Sequence, residues 1–79
     1  MNNKKKLEEA FCNALEIKEE LVIETLKYQS IEQWDSISHM MLIAELEDVF
    51  DIELDTDDVI NMSSVSMAKK IIAKYEIEF

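Results

Sequence analysis

The chain has 79 residues, which leaves room for one domain, and we expect that domain to span residues 1–79. It contains no Gly and no Pro, the residues on which tight hairpin turns depend, and this composition favours an all-α fold. The net charge of −10 argues against binding to nucleic acid or to anionic membranes, and it makes basic proteins the expected partners.

The single cysteine, Cys12, cannot form an internal disulfide, which favours a reducing compartment. It lies on the apolar stripe of the first predicted helix, where a core thiol is expected. The first residues, MNNKKK, are not followed by the apolar run of a signal peptide, and no apolar run reaches membrane-spanning length. We therefore expect a cytoplasmic protein without a membrane segment, and we take it to be a monomer.

A first helix is predicted over residues 3–15, because apolar residues recur there at the spacing of one helical face. These residues are Leu7, Ala10, Phe11, Ala14 and Leu15. Residues 17–33 follow neither helical nor strand periodicity, and β-branched Val22, Ile23 and Thr25 disfavour a helix. We predict a long ordered loop here, held by a few inward-facing apolar side chains, with a continued first helix as the alternative.

A second helix is predicted over residues 36–50, and it carries two apolar faces instead of one. The core face groups Leu42, Ile43, Leu46, Val49 and Phe50. The other face groups Ile37, Met40 and Ala44, with Met41, Glu47 and Asp48 at its edges. An apolar patch bordered by acids more often binds a partner than lies idle, so we interpret it as a binding surface. Cover by one of the chain's own loops is the alternative.

Two further helices complete the prediction. Asp55 or Thr56 is expected to cap a short third helix that ends near residue 60, with Val59 and Ile60 facing inward. A serine at position 63 or 64 is expected to cap a last helix that ends near residue 75. The core face of that helix comprises Val65, Ala68, Ile72 and Tyr75. The last four residues of the chain are expected to fray.

Ser36 stands where the second helix begins, and the sequence leaves three interpretations of it open. A serine there most often caps the helix by accepting a backbone N–H. A phosphate ester on its hydroxyl is also permitted, because the dipole and the amides at a helix start stabilise an anion. A nucleophilic Ser36 paired with His39 is the weakest interpretation, since the chain has no Gly-rich turn of the kind that presents such a serine. We therefore predict no catalytic residue.

Alternating acids at residues 51–57 resemble a calcium-binding loop. They are Asp51, Glu53, Asp55 and Asp57. The EF-hand pattern also requires Gly at its sixth position and Glu at its twelfth, where this chain has Thr56 and Met62. We therefore predict no specific metal site, and only weak cation binding to the acidic surface.

Asp35-Ser36-Ile37, followed by a helical run that ends in Leu46-Glu47-Asp48-Val49-Phe50, resembles the acyl carrier protein family. The signature of that family is Asp-Ser-Leu at the head of a helix, followed by a Leu-Glu-x-x-Phe-like run. The resemblance covers nearly the whole chain. It implies an acyl-carrier-type four-helix bundle with a long loop between helices one and two and a short third helix.

The resemblance further implies a 4′-phosphopantetheine arm, taken from coenzyme A and attached to Ser36 by a phosphopantetheinyl transferase. The arm would hold acyl or aminoacyl groups as thioesters, a hydrophobic pocket between helices would shelter them, and the chain itself would not be an enzyme. Its partners would be acyl-loading and acyl-transferring enzymes of fatty-acid, polyketide or other specialised biosynthesis, with basic docking surfaces. The residues assigned to that docking face are Asp35, Ile37, Met40, Ala44, Glu47 and Asp48.

Three departures from the family pattern favour a specialised carrier over the housekeeping fatty-acid carrier. Gln33 and Trp34 stand where a Gly usually precedes the Asp-Ser pair, Ile37 replaces Leu, and Met41 occupies a position that is often acidic. The alternatives to a carrier are an acidic helical adaptor, which binds basic partners through the second helix without a prosthetic group, and a calcium-responsive helical module.

Overall fold

The computed structural model of the chain describes residues 3–79, so the first two residues of the MNNKKK stretch lie outside the described residues. It contains four α-helices: α1 (Asn3–Leu15), α2 (Ser36–Phe50), α3 (Thr56–Asn61) and α4 (Val65–Ala73). No strand occurs in the described part of the chain, and the predicted all-α class is confirmed. None of the helices in residues 3–79 is long and apolar enough to cross a membrane.

The two long helices bury the faces that their apolar spacing predicts. α1 buries Leu7, Ala10, Phe11, Ala14 and Leu15. α2 buries Leu42, Ile43, Leu46 and Phe50, with Val49 partly buried against the same core. Burial of each large apolar side chain contributes roughly 1.5–3 kcal/mol. Cys12 also packs against this core, and burial raises the pKa of its thiol, which suits a structural thiol.

The segment between α1 and α2 is irregular. α1 ends at Leu15, because Glu16 takes a left-handed conformation with φ of 55° and cannot extend the helix. A single 3-10 turn, Glu19–Leu21, follows. Ile17, Val22 and Leu26 are buried in the core. The first helix therefore does not continue into residues 17–33.

This segment is also joined to the start of α4 by backbone hydrogen bonds. The amide of Tyr28 donates to the carbonyl of Ser63 at 2.9 Å, and the amide of Val65 donates to the carbonyl of Leu26 at 3.0 Å. The two bonds flank an isolated antiparallel bridge between Lys27 and Ser64. The segment before α2 is thus fixed to the segment before α4.

Trp34, directly before α2, is fully buried and is among the largest side chains of the core. Its ring lies edge-on to that of Phe11, with centroids 5.3 Å apart and planes at 81°, and edge-on to that of Tyr28 at 6.2 Å. Such aromatic pairs add about 0.5–1.5 kcal/mol beyond the area that they bury. Trp34 therefore fixes the end of the irregular segment against α1 and sets where α2 begins.

α3 differs from its prediction. Ile60, expected to face inward, is 72% exposed, while Val59 is only partly buried. The inward residue is Asp58, which is 3% exposed and accepts hydrogen bonds from Lys74 Nζ at 2.6 Å and from Tyr75 Oη at 2.5 Å. The Lys74 ammonium and then the Tyr75 hydroxyl lower the pKa of this carboxyl. α3 is therefore oriented by the hydrogen bonds from its buried Asp58 to two residues directly after α4.

α4 begins as predicted with a serine cap, because Ser64 Oγ accepts the amide of Met67 at 3.0 Å. It ends at Ala73, two residues before the predicted position. Its buried residues are Val65, Ala68, Ile71 and Ile72. Among the last four residues, which are expected to fray, Ile77 packs against the core and the ring of Phe79 lies 6.1 Å from that of Phe50.

Within residues 3–79, four residues with a Cβ atom adopt positive φ, in a sequence that contains no glycine. They are Glu16 at 55°, Gln29 at 65°, Asp51 at 53° and Glu76 at 68°. Asp51 closes α2 in a left-handed conformation, and its amide donates to the carbonyl of Glu47. The turns of the fold therefore rest on residues that bear side chains.

Candidate functional site

The start of α2 is capped by Asp35. Its backbone is extended, with φ of −104°, and its Oδ1 accepts the amide of Ser38 at 2.8 Å. That hydrogen bond lowers the pKa of the Asp35 carboxyl. Ser36 is consequently the first helical residue, and the interpretation of Ser36 as the cap is wrong. Asp and Ser are similarly favoured as caps, so residue preference alone does not decide between the two neighbours.

Ser36 therefore presents an unused hydroxyl at the positive end of a helix. Its side chain is exposed, and no hydrogen bond within residues 3–79 engages its Oγ. The first amides of a helix have no partner one turn back, and the helix dipole is positive here. An anionic group attached to this oxygen would be stabilised by both effects. Asp35 competes for part of that stabilisation, since its carboxylate already accepts the amide of Ser38.

The second apolar face of α2 is exposed in the structure. Ile37 is 73% exposed and Met40 is 60% exposed, while Ala44 and Asp48 further along the same face are also exposed. Met41, at the edge of this face, is 55% exposed. No loop of the described chain covers these side chains, so the alternative of an internal cover does not hold for residues 3–79.

Glu47 differs from the other residues assigned to this face. It is partly buried, and its Oε2 accepts the amide of Leu54 at 2.9 Å. Its carbonyl accepts the amides of Asp51 and Ile52, which close the end of α2. The carboxylate therefore holds the connector between α2 and α3, a use that α-helical spacing cannot predict.

His39 lies one helical turn after Ser36 and is partly buried. Trp34 Nε1 donates to its Nδ1 at 3.0 Å, and its Nε2 lies 2.9 Å from the carbonyl oxygen of Val59. Because an indole N–H can only donate, Nδ1 accepts, the ring proton is on Nε2, and Nε2 donates to Val59. Both ring nitrogens are thus occupied, and neither is hydrogen-bonded to Ser36.

A cavity of about 210 Å³ lies beside His39, between the irregular segment and α3. Its lining comprises Tyr28, His39, Val59, Ile60, Met62 and Ser63. The rings of Tyr28 and His39 are 5.3 Å apart, and the His39 ring stacks on Trp34 at 6.1 Å. The cavity therefore has an aromatic wall backed by the core and an aliphatic wall supplied by α3.

The acidic connector does not assemble a metal site. No group of three or more His, Cys, Asp or Glu side chains within residues 3–79 is placed to hold a metal ion. One of the alternating acids, Asp55, is instead the cap of α3, because its Oδ1 accepts the amide of Asp58 at 2.9 Å.

Ser36, Asp35 and the second apolar face of α2, which the sequence singled out, are exposed in the structure. Ile60 was predicted to face inward and is exposed, and the link from Trp34 through His39 to Val59 was not predicted. Comparisons of the chain with protein-family models, with curated proteins and with solved structures found no match.

Proposed function

We propose that this chain is an acyl-carrier-like protein that holds acyl or aminoacyl groups on a 4′-phosphopantetheine arm attached to Ser36. The observation that carries the proposal is the exposed, unbonded Ser36 hydroxyl at the first position of α2, with helix capping done by Asp35 instead. A serine needed only for capping would have its oxygen occupied by a backbone amide. The helix order, with a long segment before α2 and a six-residue α3, supports an acyl-carrier-type bundle.

The residues around Ser36 fit the attachment of such an arm. The exposed Oγ would form the phosphoester bond, and the amides and dipole at the start of α2 would stabilise the phosphate charge. The bound arm would supply the thiol on which acyl groups are carried as thioesters. His39 would take no part in proton transfer at Ser36, since both of its nitrogens bind other groups. The chain would accordingly act as a carrier and not as an enzyme.

The exposed face of α2 is the proposed docking surface for the enzymes that load and use the cargo. Ile37, Met40 and Ala44 would supply apolar contact next to the arm, with Asp35 and Asp48 at the two ends. Residues 28–68 contain no Lys or Arg, so partners with basic surfaces are complementary to this side of the protein. Glu47 would contribute negative charge to the rim while its carboxylate stays bonded to Leu54.

The cavity beside His39 is the proposed shelter for the cargo. One of its lining residues, His39, lies one helical turn after Ser36, and Val59, Ile60 and Met62 offer apolar contact. Binding sites for small ligands are typically concave and mostly apolar, with a few polar groups. The cytoplasm, where coenzyme A and carrier-dependent enzymes meet, is the proposed compartment.

The rival proposal is an acidic helical adaptor that uses the same face of α2 without a prosthetic group. The test is incubation of the full chain with coenzyme A and a phosphopantetheinyl transferase, followed by mass spectrometry. A carrier gains the mass of one phosphopantetheine group, and the Ser36→Ala variant gains none. The matched control is Ser38→Ala, which alters the next serine of the same helix and should still be modified.

Two outcomes would refute this proposal in different ways. An unmodified wild-type chain, in the presence of a transferase that modifies a known carrier in the same reaction, would refute the carrier and leave the adaptor, whose partner would bind the unmodified chain through α2. A mass gain that persists in Ser36→Ala would refute Ser36 as the attachment site.

A further inference from the structure

We propose that His39 is a positioning residue that latches α3 against α2 and so limits the size of the cargo that the cavity admits. The inference rests on the proposed carrier function for the identity of the cargo, although the latch itself is a property of the unmodified chain. It is drawn from the two hydrogen bonds of His39 and from the different ways in which the two sides of α3 are held.

The latch is the hydrogen bond from His39 Nε2 to the carbonyl oxygen of Val59, at 2.9 Å. His39 cannot turn away from that carbonyl at little cost, because its Nδ1 is held by Trp34 Nε1 at 3.0 Å and its ring is stacked on the indole. Trp34 is fully buried and packs on Phe11 of α1. The His39 imidazole therefore connects α3 to Trp34 at the centre of the core.

The opposite side of α3 is held more firmly. Asp58, adjacent to Val59, accepts hydrogen bonds from Lys74 Nζ and Tyr75 Oη, and it is buried while doing so. Asp58 thus accepts two hydrogen bonds through a charged carboxylate, whereas Val59 accepts one bond from a neutral imidazole, and charge-assisted hydrogen bonds are the stronger kind. If α3 moves, it should stay attached to α4 and separate from α2, so the cavity opens on the side of His39.

The residues that form the latch also line the cavity. His39, Val59 and Ile60 all line the cavity of about 210 Å³, and the carbonyl that His39 binds belongs to one of them. Across the cavity, the amide of Tyr28 binds the carbonyl of Ser63 at 2.9 Å, which fixes the remaining rim. Trp34 backs the aromatic wall and is itself packed, so we expect a longer acyl chain to gain room by moving α3 away from His39.

Two substitutions separate the latch from the general packing of His39. In His39→Asn, the side-chain oxygen can still accept from Trp34 Nε1, as Nδ1 does, but the shorter side chain no longer reaches the carbonyl of Val59. In His39→Gln, the side-chain amide can still donate to Val59 in place of Nε2. A residue that only stabilised the fold would make both variants similarly loose.

The first measurement is hydrogen exchange of the backbone amides by NMR, on the unmodified full chain. We expect α3 amides to exchange about tenfold faster in His39→Asn, the change that corresponds to loss of one hydrogen bond, with α1 amides unchanged. In His39→Gln, α3 should exchange at close to the wild-type rate. Equal acceleration in the two variants, or acceleration throughout the chain, would overturn the latch.

The second measurement uses the modified chain loaded with a butanoyl or an octanoyl group at Ser36. Butanoyl should shift the methyl signals of Val59 and Met62 equally in wild type, His39→Asn and His39→Gln. Octanoyl should shift them about twofold further in His39→Asn than in the other two proteins, because only that variant admits the longer chain. Identical octanoyl shifts in all three proteins would overturn the control of cargo size by His39.

The two measurements keep this inference distinct from the carrier proposal. A chain that no transferase modifies would overturn the carrier and the cargo role of His39 together. The exchange rates of α3 in the unmodified chain would still decide whether His39 latches that helix.

Discussion

α4 begins with Ser64 at the capping position, where its Oγ accepts the amide of Met67 at 3.0 Å. α2 begins with Asp35 at the same position, and Ser36 follows as the first helical residue with its oxygen unengaged in the described chain. Ser64 is therefore the cap of its helix, whereas Ser36 lies one residue after the cap of its helix. A serine at a helix start is therefore informative only once the residue that caps the helix is known.

The largest expected effect comes from Trp34, which fixes the start of α2 and has no counterpart of its size at the start of α4. Trp34→Ala should lower the free energy of unfolding by about 3–5 kcal/mol, because a fully buried indole leaves a cavity and His39 loses a hydrogen-bond donor. Urea unfolding, followed by circular dichroism, measures this loss in the free energy of unfolding. Leu21→Ala, at a 44% exposed position, is the control and should cost less than about 0.5 kcal/mol. A loss below about 1 kcal/mol in Trp34→Ala would show that the indole does not anchor α2.

The two serines themselves provide the next test. Ser64→Ala removes a cap and should lower the free energy of unfolding by about 1 kcal/mol, whereas Ser36→Ala removes an unbonded hydroxyl and should change it by less than about 0.5 kcal/mol. Both variants are compared with wild type by urea unfolding. Equal losses in the two variants would mean that Ser36 Oγ also caps α2, and that the assignment of the cap to Asp35 is mistaken.

The smallest expected effect is a change in stability at acidic pH, because the Asp35 cap can titrate and the Ser64 cap cannot. The pKa of Asp35 is lowered by the amide of Ser38, so the cap contributes fully above the ordinary Asp value of about 3.9. That contribution is lost as the pH falls through the lowered folded value. Between about pH 6 and about pH 3, Asp35→Ser should therefore lose less stability than wild type, and Ser64→Asp should lose more.

A second carboxyl titrates in the same direction in all three proteins. The pKa of Asp58 is lowered by the Lys74 ammonium and by the Tyr75 hydroxyl, so part of the acid sensitivity should persist in Asp35→Ser. The difference between the pH profiles of wild type and Asp35→Ser isolates the contribution of the Asp35 cap to stability. Parallel pH profiles for the two proteins would contradict a role for the Asp35 carboxylate in capping α2.

The spacing of apolar residues predicted the helices that are long enough to show a repeating pattern. α1 and α2 run for 13 and 15 residues, and their apolar spacing identified the buried face of each. α3 has six residues, less than two turns, and the prediction that Ile60 faces inward was wrong. What orients α3 is the bonding of Asp58 to Lys74 and Tyr75, which are close only after the chain has folded.

The candidate site was predictable to a similar degree. The exposed face of α2 followed from helical spacing, and Ser36 followed from its place at a helix start. The choice of cap did not follow, because Asp35 and Ser36 are both favoured capping residues and the helix boundary is uncertain by a residue or more. The bonds of His39 could not be read from the sequence either, since they depend on how an aperiodic segment brings Trp34 back to α2.

The left-handed positions of this chain carry a consequence for its surface. Of the four left-handed residues in the described part of the chain, three are acidic, namely Glu16, Asp51 and Glu76. The residues that bend the backbone there also supply part of the negative charge of the surface. A left-handed conformation costs a residue with a Cβ atom roughly 1–2 kcal/mol, which glycine would avoid at the loss of the carboxylate. At these bends, the same residues set the direction of the chain and contribute to the electrostatic potential of the surface, so replacement by glycine would relieve the backbone and remove a negative charge in one step.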